Sequence, residues 1–409
     1  MLTGRTTTPN QYLVKLCFGR PTRSLLENVR PFYRESLARM TLPQIEIQIV
    51  AVVVSVACAL PGVFLILRKM AMMSDAISHA ILPGIVVGFF ITESLGSPFL
   101  IVAAALTGLL TVSLVEVIER TDLVKEDAAI GIVFPILFSI GIILIARYAG
   151  DVHLDTDAVL LGELAFAPFD RLTAFGWDLG PRSLWTMGSV LVLNAVFLAL
   201  FYKELKLATF DAGLAATLGF LPGVLHYALM GLVSLTAVTA FDAVGSILVV
   251  ALMIGPPATA YLLTNRLGVM LALSAGLGAA CAVGGYWLAH AFDVSIAGSM
   301  ATATGLVFGA AVLFAPDRGV VAQIRRSRDQ KRRFAEELLA IHLLQHEGTA
   351  SADRESRVQH LQEHFNWDAD FADRTVRRAT RHGTVRRRNG HLVLTESGRS
   401  LAQQALERT

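Results

Sequence analysis

The sequence predicts an all-α polytopic membrane protein with eight or nine transmembrane helices, followed by a small cytoplasmic α+β domain. The chain of 409 residues is 54% hydrophobic and only 17% charged, whereas soluble domains average about 25% charged residues. Its mean hydropathy is +0.56. The long apolar stretches are confined to residues 44–315, and both ends of the chain are polar and rich in arginine.

This uneven composition divides the chain into four segments. A polar N-terminal extension covers residues 1–43, the transmembrane domain covers residues 44–316, a linker covers residues 317–330, and a C-terminal domain covers residues 331–409. Met40 lies just before the first apolar stretch, and the arginine-rich residues that precede it show no pattern. We therefore expect translation to start at or near Met40, so that residues 1–39 are not part of the native protein.

Nine apolar segments approach the length of about 20 residues that a helix needs to cross a membrane. The sixth and seventh segments nearly touch at Asp242, and a single bent element there would reduce the count to eight. Lysine and arginine in the short loops after the first, third, fifth and seventh segments place those loops, and the C-terminus, in the cytoplasm. The predicted spans are residues 47–67, 79–92, 99–117, 130–147, 187–201, 225–241, 244–263, 269–290 and 296–314.

The most informative segment runs from Ser74 to Gly84 at the start of the second span. Asp75 and His79 are four residues apart, so on a helix they lie on the same face. A carboxylate and an imidazole together suit manganese, iron or zinc better than calcium or magnesium. Ionisable side chains are costly in a membrane helix and indicate a function by default. The alternative is that Asp75 caps the helix and that His79 is an interfacial residue.

This segment resembles the signature of the manganese/zinc/iron ABC transporter permease family. The similarity begins at Leu67-Arg68-Lys69-Met70 and continues through residues 74–80 and 82–84. Residues 204–219, residues 244–260 and Thr304-Gly305 are similar to further segments of the same family. The resemblance covers residues 44–315.

The resemblance implies the permease subunit of an ABC importer that moves manganese, zinc or iron across the bacterial inner membrane. It implies that Asp75 and His79 bind the metal in the translocation path, with no permanently bound cofactor. The expected partners are an ABC ATPase subunit, an extracytoplasmic metal-binding protein, membrane lipid and a second permease subunit, identical or different. The chain has no nucleotide site of its own, because none of its lysines precedes serine or threonine as a phosphate-binding loop requires. We therefore expect no enzymatic activity in this chain, and ATP hydrolysis in a separate subunit.

Residues 203–222 are a polar stretch between two spans. A short amphipathic helix is predicted at residues 208–218. The resemblance implies that this stretch couples the permease to its ATPase, whereas an ordinary interfacial loop is the alternative. The residues that carry the implied coupling role are Glu204, Asp211, Ala215 and Gly219.

The loop at residues 148–186 is predicted to lie outside the cell and is strongly acidic. It could attract cations or dock a substrate-binding protein, and the alternative is that it is simply solvated. Its ionisable residues include Asp151, His153, Asp155 and Asp157.

The C-terminal domain is predicted to be a winged helix. Three helices at residues 331–346, 353–365 and 369–382 precede a hairpin around Asn389-Gly390 and a closing helix capped by Thr395. These residues resemble the winged-helix part of iron-dependent-repressor-type regulators. A positive face for nucleic acid, or for docking a protein, is predicted at Arg377, Arg378, Arg381, Arg386, Arg387 and Arg388.

The sequence shows no convincing metal-sensing set in this domain. His342 and His346 are four residues apart, but a solvated helix face is the favoured interpretation of that pair. Two other functions stay open for the whole chain: an iron-siderophore ABC permease, and a membrane-anchored transcription regulator whose spans only tether the C-terminal domain.

Overall fold

The computed structural model describes residues 41–93, 97–148, 164–174, 177–349, 352–388 and 390–407. Two compact units divide between Gly309 and Ala310. Several residues singled out by the sequence lie outside the described ranges. They are residues 1–40, which include Met40, and Asp151, His153, Asp155, Asp157 and Asn389.

Within the described ranges, nine helical segments are long and apolar enough to cross a membrane. This agrees with the larger of the two predicted counts. The helices of this region, in chain order, are α1 Leu42–Leu67, α2 Met72–Ala80, α3 Leu82–Thr92, α4 Pro98–Glu119, α5 Glu126–Tyr148, α6 Arg182–Leu200, α7 Tyr202–Phe210, α8 Ala212–Thr217, α9 Pro222–Val244, α10 Ser246–Leu263, α11 Leu267–Phe292 and α12 Ile296–Phe314.

The second span consists of two helices, α2 and α3, which meet at Ile81. Pro83 lies in the first turn of α3, where its missing amide proton costs no intrahelical hydrogen bond. The sixth and seventh predicted spans are separate helices, α9 and α10. Gly245 divides them with φ +80° and ψ 163°, a backbone conformation that favours glycine.

Helix α1 is central to this unit and packs against α6, α9, α10 and α11. Its contact with α10 is a contact between backbones. A Cβ atom added at Gly62 would lie 2.0 Å from the carbonyl oxygen of Met253. Small residues at helix interfaces permit such close approach in a membrane.

Two features of this unit differ from the sequence predictions. Strands β1 (Arg171–Ala174) and β2 (Trp177–Pro181) form an antiparallel hairpin, which was not predicted because the strands are only 4 and 5 residues long. The single helix predicted at residues 208–218 is wrong. The structure has α7 and α8 instead, and Asp211 between them is extended, with φ −150° and ψ 91°.

The C-terminal unit contains five helices and a two-stranded sheet after α12. Residues 320–330, expected to be a linker, belong to its long first helix, and the predicted second helix is divided into two. Thr395 caps the last helix as predicted, because its Oγ1 accepts a hydrogen bond from the amide of Gly398 at 3.2 Å. The elements are α13 Val320–His346, α14 Ala352–Glu355, α15 Val358–Phe365, α16 Ala369–His382, β3 Val385–Arg388, β4 His391–Leu394 and α17 Glu396–Leu406.

Candidate functional site

Helix α2 presents Asp75 and His79 on its less buried face. Met73, Ile77 and Ala80 are fully buried, and they fix the rotation of the helix against its neighbours. The Asp75 Oδ1 and His79 Nε2 atoms are 3.5 Å apart, and the two side chains are 42% and 31% exposed. The structure therefore brings the predicted pair together in an accessible position.

The capping interpretation of Asp75 is not supported by this geometry. The residue before the first turn of α2 is Ala71, and no side chain caps the helix. Ser74 and Ser78 bond back to the carbonyl oxygens of Ala71 and Ser74, at 3.1 and 2.8 Å. Both serine hydroxyls are therefore hydrogen-bonded to the backbone nearby. The charged group closest to the Asp75 carboxylate among the contacts described is the His79 imidazole.

Aromatic side chains of α5 flank the pair. The His79 ring centroid lies 5.9 Å from that of Phe134 and 6.4 Å from that of Phe138. One carboxylate and one imidazole supply fewer ligands than the four or more that zinc or manganese needs. A bound ion therefore requires further donors from outside this pair, and the exposed side of α2 leaves room for them.

A partly buried polar network, which the sequence did not predict, joins α4 and α9 to the short helix α7. Glu116 accepts a hydrogen bond from Tyr227 Oη at 2.7 Å and contacts His226 Nε2. Arg68 donates to His226 Nδ1 at 2.8 Å and to Thr209 Oγ1 at 3.3 Å. Because a guanidinium only donates, His226 Nδ1 accepts, and the ring proton belongs on Nε2, facing Glu116.

The sequence did contain a signal for this network. Glu116 is a carboxylate in an otherwise apolar span, which by itself indicates a buried partner or a function. No pattern in the sequence links His226 to that carboxylate, because the two residues lie more than a hundred positions apart along the chain.

The four residues implied in coupling have different local roles. Asp211 caps α8, since its Oδ1 accepts a hydrogen bond from the amide of Leu214 at 2.8 Å. Gly219 follows α8 with φ +86°, a conformation that strains most other residues. Ala215 is fully buried, so it positions α8 and is not exposed for docking. Glu204 lies in the first turn of α7.

Large apolar side chains are exposed around α8. They include Leu218, which is 60% exposed, and they form what we call the α8 surface, made of Phe210, Leu214, Leu218, Phe220 and Leu221. Contiguous exposed apolar residues rimmed by polar ones are typical of an interaction site.

Residues 44–315 match the ABC 3 transport family. This match covers about two thirds of the chain and includes the Asp75–His79 pair, the Glu116 network and the α8 surface. The chain belongs to the ABC 3 transport family. Membership, together with the nine apolar helical segments, makes it a multi-pass membrane protein.

Two named transport proteins are similar to the chain over most of their length. The zinc transport system membrane protein TroD of Treponema pallidum is 50% identical over 362 residues, which cover 88% of this chain and 98% of TroD. The manganese transport system membrane protein MntD of Bacillus subtilis is 49% identical over 284 residues, covering 69% of this chain and 96% of MntD.

Among solved structures, PsaBC from Streptococcus pneumoniae in complex with Fab matches with a TM-score of 0.57 and 30% identity. The match covers 70% of this chain and 97% of the PsaBC chain. The alignment with TroD covers 362 residues of this chain. Because only 315 residues precede position 316, the alignment extends into the C-terminal unit.

The predicted arginine face of that unit is only partly free. Arg377, Arg381 and the three arginines of β3 are exposed. Arg378 instead points at the buried carboxylate of Glu336, with 3.6 Å between Nε and Oε2. Glu336 also accepts a hydrogen bond from Thr384 Oγ1 at 3.0 Å, so Arg378 is engaged within the unit.

Proposed function

We propose that the chain is the permease subunit of an ABC importer that moves a divalent transition metal, manganese, zinc or iron, across the bacterial inner membrane. The observation that carries this proposal is the Asp75–His79 pair on the open face of α2. Membership of the ABC 3 family and the metal transport functions of TroD and MntD support it.

In this mechanism, two permease subunits face each other across a two-fold axis and each contributes its Asp75–His79 pair. Two carboxylates and two neutral imidazoles then supply four ligands for one ion. The two negative charges offset the charge of the ion, which lowers the cost of holding it in a medium of low dielectric constant. The same donor set suits manganese, zinc and iron, so the choice among them rests with the extracytoplasmic metal-binding protein that delivers the ion.

The proposal is tested by metal accumulation in bacteria that lack their own high-affinity manganese and zinc uptake. The cells express the chain with an ABC ATPase and a metal-binding protein from the same source, or the ATPase and binding protein alone. We expect higher accumulation of at least one of manganese, zinc and iron when the chain is present, measured by elemental analysis after growth in limiting metal. Equal accumulation of all three metals in both strains would refute the proposal.

Energy for transport comes from a separate ABC ATPase, which we place at the α8 surface. This surface lies between α6 and α9, on the side of the membrane that the loop charges assign to the cytoplasm. The exposed leucine and phenylalanine side chains suit α8 for docking against another protein. The Arg68–Thr209 hydrogen bond connects α7 to the C-terminal end of α1. Movement of the ATPase would reach the spans through that contact.

A charge on the α8 surface is expected to weaken the binding of this chain to its ATPase subunit. Leu218→Asp places a carboxylate where an apolar contact is required. Loss of a central contact costs about 2 kcal/mol or more, so we expect affinity for the ATPase to fall roughly thirtyfold. Co-purification and ATP hydrolysis by the detergent-solubilised complex measure this effect. The matched control is Leu123→Asp, because Leu123 is 85% exposed on another loop; equal binding by both variants would place docking elsewhere.

The C-terminal unit is proposed to be a cytoplasmic winged-helix domain of the iron-dependent-repressor type. Its order of helices, hairpin and closing helix supports this assignment, and its exposed arginines are Arg377, Arg381, Arg386, Arg387 and Arg388. A positive surface of this kind suits an acidic protein surface or nucleic acid. We favour a docking role, because a membrane-tethered domain searches DNA poorly.

A further inference from the structure

Four histidines and one glutamate converge in the C-terminal unit, far along the chain from Asp75. His342 and His346 lie one turn apart on α13, and His360 and His364 lie one turn apart on α15. Glu355 ends the short helix α14 between them. The solvated helix face predicted for the first two histidines is wrong for His342, because only 4% of its side chain is exposed.

The donor atoms of this cluster are close enough to share an ion. Those of His342, His346 and Glu355 all lie within 4.8 Å of one another, and so do those of Glu355, His360 and His364. Glu355 Oε2 is common to both sets, at 3.4 Å from His342 Nε2 and 2.6 Å from His360 Nε2. Ligands that lie about 2 Å from an ion are at most about 4 Å from one another, so the wider of these separations must close by rotation of the side chains when an ion binds.

Hydrogen bonding accounts for one contact of the cluster, because His360 Nε2 lies within hydrogen-bond distance of Glu355 Oε2. His342 Nε2 is also buried from water, and it has no hydrogen-bond partner of acceptable geometry among the described residues. Buried polar atoms are nearly always satisfied, and each exception requires an explanation such as an ion. A cation shared with Glu355 would supply the missing partner of His342 Nε2.

We propose that His342, His346, Glu355, His360 and His364 form a transition-metal centre in the C-terminal unit, with zinc as the best-fitting ion. Imidazole donors with one carboxylate favour zinc over manganese, magnesium and calcium. The ligands come from three helices, so a bound ion holds α13, α14 and α15 together. This centre shares no residue with the Asp75–His79 pair and does not depend on the proposed transport function.

The protonation state of the central ligand is compatible with this role. Burial lowers the pKa of His342, and the neighbouring His346 and His364 lower it further. Its imidazole is therefore neutral near pH 7, as a metal ligand must be.

The experiment uses the full-length chain in detergent, carrying Asp75→Ala and His79→Ala so that the proposed transport site is removed. Zinc is measured by elemental analysis after exhaustive dialysis, and Co²⁺ titration reports ligand geometry through its visible absorption. We expect about one tightly bound zinc per chain, as for a structural zinc site, and a Co²⁺ spectrum of nitrogen and oxygen ligation.

The deciding variant adds His346→Gln and His364→Gln, because both residues are less buried than His342 and their replacement leaves the core intact. The matched control adds His382→Gln and His391→Gln, two histidines of the same unit outside the cluster. We expect the first variant to lose the zinc and the Co²⁺ spectrum, and the control to keep both. Retention of zinc by the first variant, equal loss in the two variants, or absence of zinc in the parent would each overturn the proposal. None of these outcomes bears on uptake by the unmodified chain.

Discussion

Replacing Asp75 by asparagine, or His79 by glutamine, is expected to lower cellular metal accumulation at least tenfold. Asparagine keeps the shape of Asp75 but removes its charge, and two facing subunits lose both charges at once. Loss of an outer partner of a metal ligand already costs about 10–100-fold in affinity or activity, so loss of the ligand itself has at least that effect. Uptake of radioactive manganese and zinc over the first minutes measures it.

A matched control separates this effect from a general change of charge. Asp122→Asn makes the same replacement in an exposed loop, where Asp122 has φ +56°, a conformation that asparagine also tolerates. Asp122→Asn is expected to transport like the unmodified chain. If Asp75→Asn and His79→Gln transport every metal at the normal rate while present in the membrane at normal amounts, Asp75 and His79 are not the ion ligands.

Glu116→Ala is expected to destabilise the transmembrane unit strongly. Alanine leaves His226 and Tyr227 without their acceptor and Arg68 without the nearest opposite charge. Leaving a buried hydrogen-bond partner unsatisfied costs about 1–3 kcal/mol, and more when a charged group is involved. Glu116 is 12% exposed and His226 is 18% exposed, and two donors lose the same carboxylate, so we expect a loss of about 3 kcal/mol. Thermal unfolding of the purified chain in detergent measures it.

Glu119→Ala provides the comparison for Glu116→Ala, because Glu119 is exposed at the end of the same helix. Its replacement is expected to shift the midpoint of unfolding very little. Equal midpoints for the two variants would show that the network around Glu116 contributes no stability.

The spans were predictable because their apolar length is a local property of the sequence. The positions of Asp75 and His79 were predictable for the same reason, since residues four apart on a helix share a face. The separation of α9 from α10 required knowledge of the φ angle of Gly245, because an apolar run alone does not reveal a one-residue break.

The features that were missed depend on distant parts of the chain. The Glu116 network joins residues from α1, α4, α7 and α9, and no periodicity relates them. In the C-terminal unit, the sequence shows His342 and His346 as neighbours, but only the fold brings Glu355, His360 and His364 beside them. Arg378 was placed on the positive face because its helical position fits, whereas its actual partner, Glu336, lies on another helix.

The backbone contact at Gly62 restricts how the spans can move. A helix pair separated by side chains adjusts by changing rotamers, but at this contact there is no side chain to rotate, and sliding would drive the chain into the Met253 carbonyl. Gly84 is similarly crowded, since a Cβ there would lie 2.3 Å from Thr107 Oγ1 and 2.6 Å from the Ala103 carbonyl oxygen. We therefore expect α1 and α10, and likewise α3 and α4, to move as pairs. Movement in the proposed transport cycle is then expected at the interfaces around these pairs, and a methyl group at either glycine would push the paired helices apart.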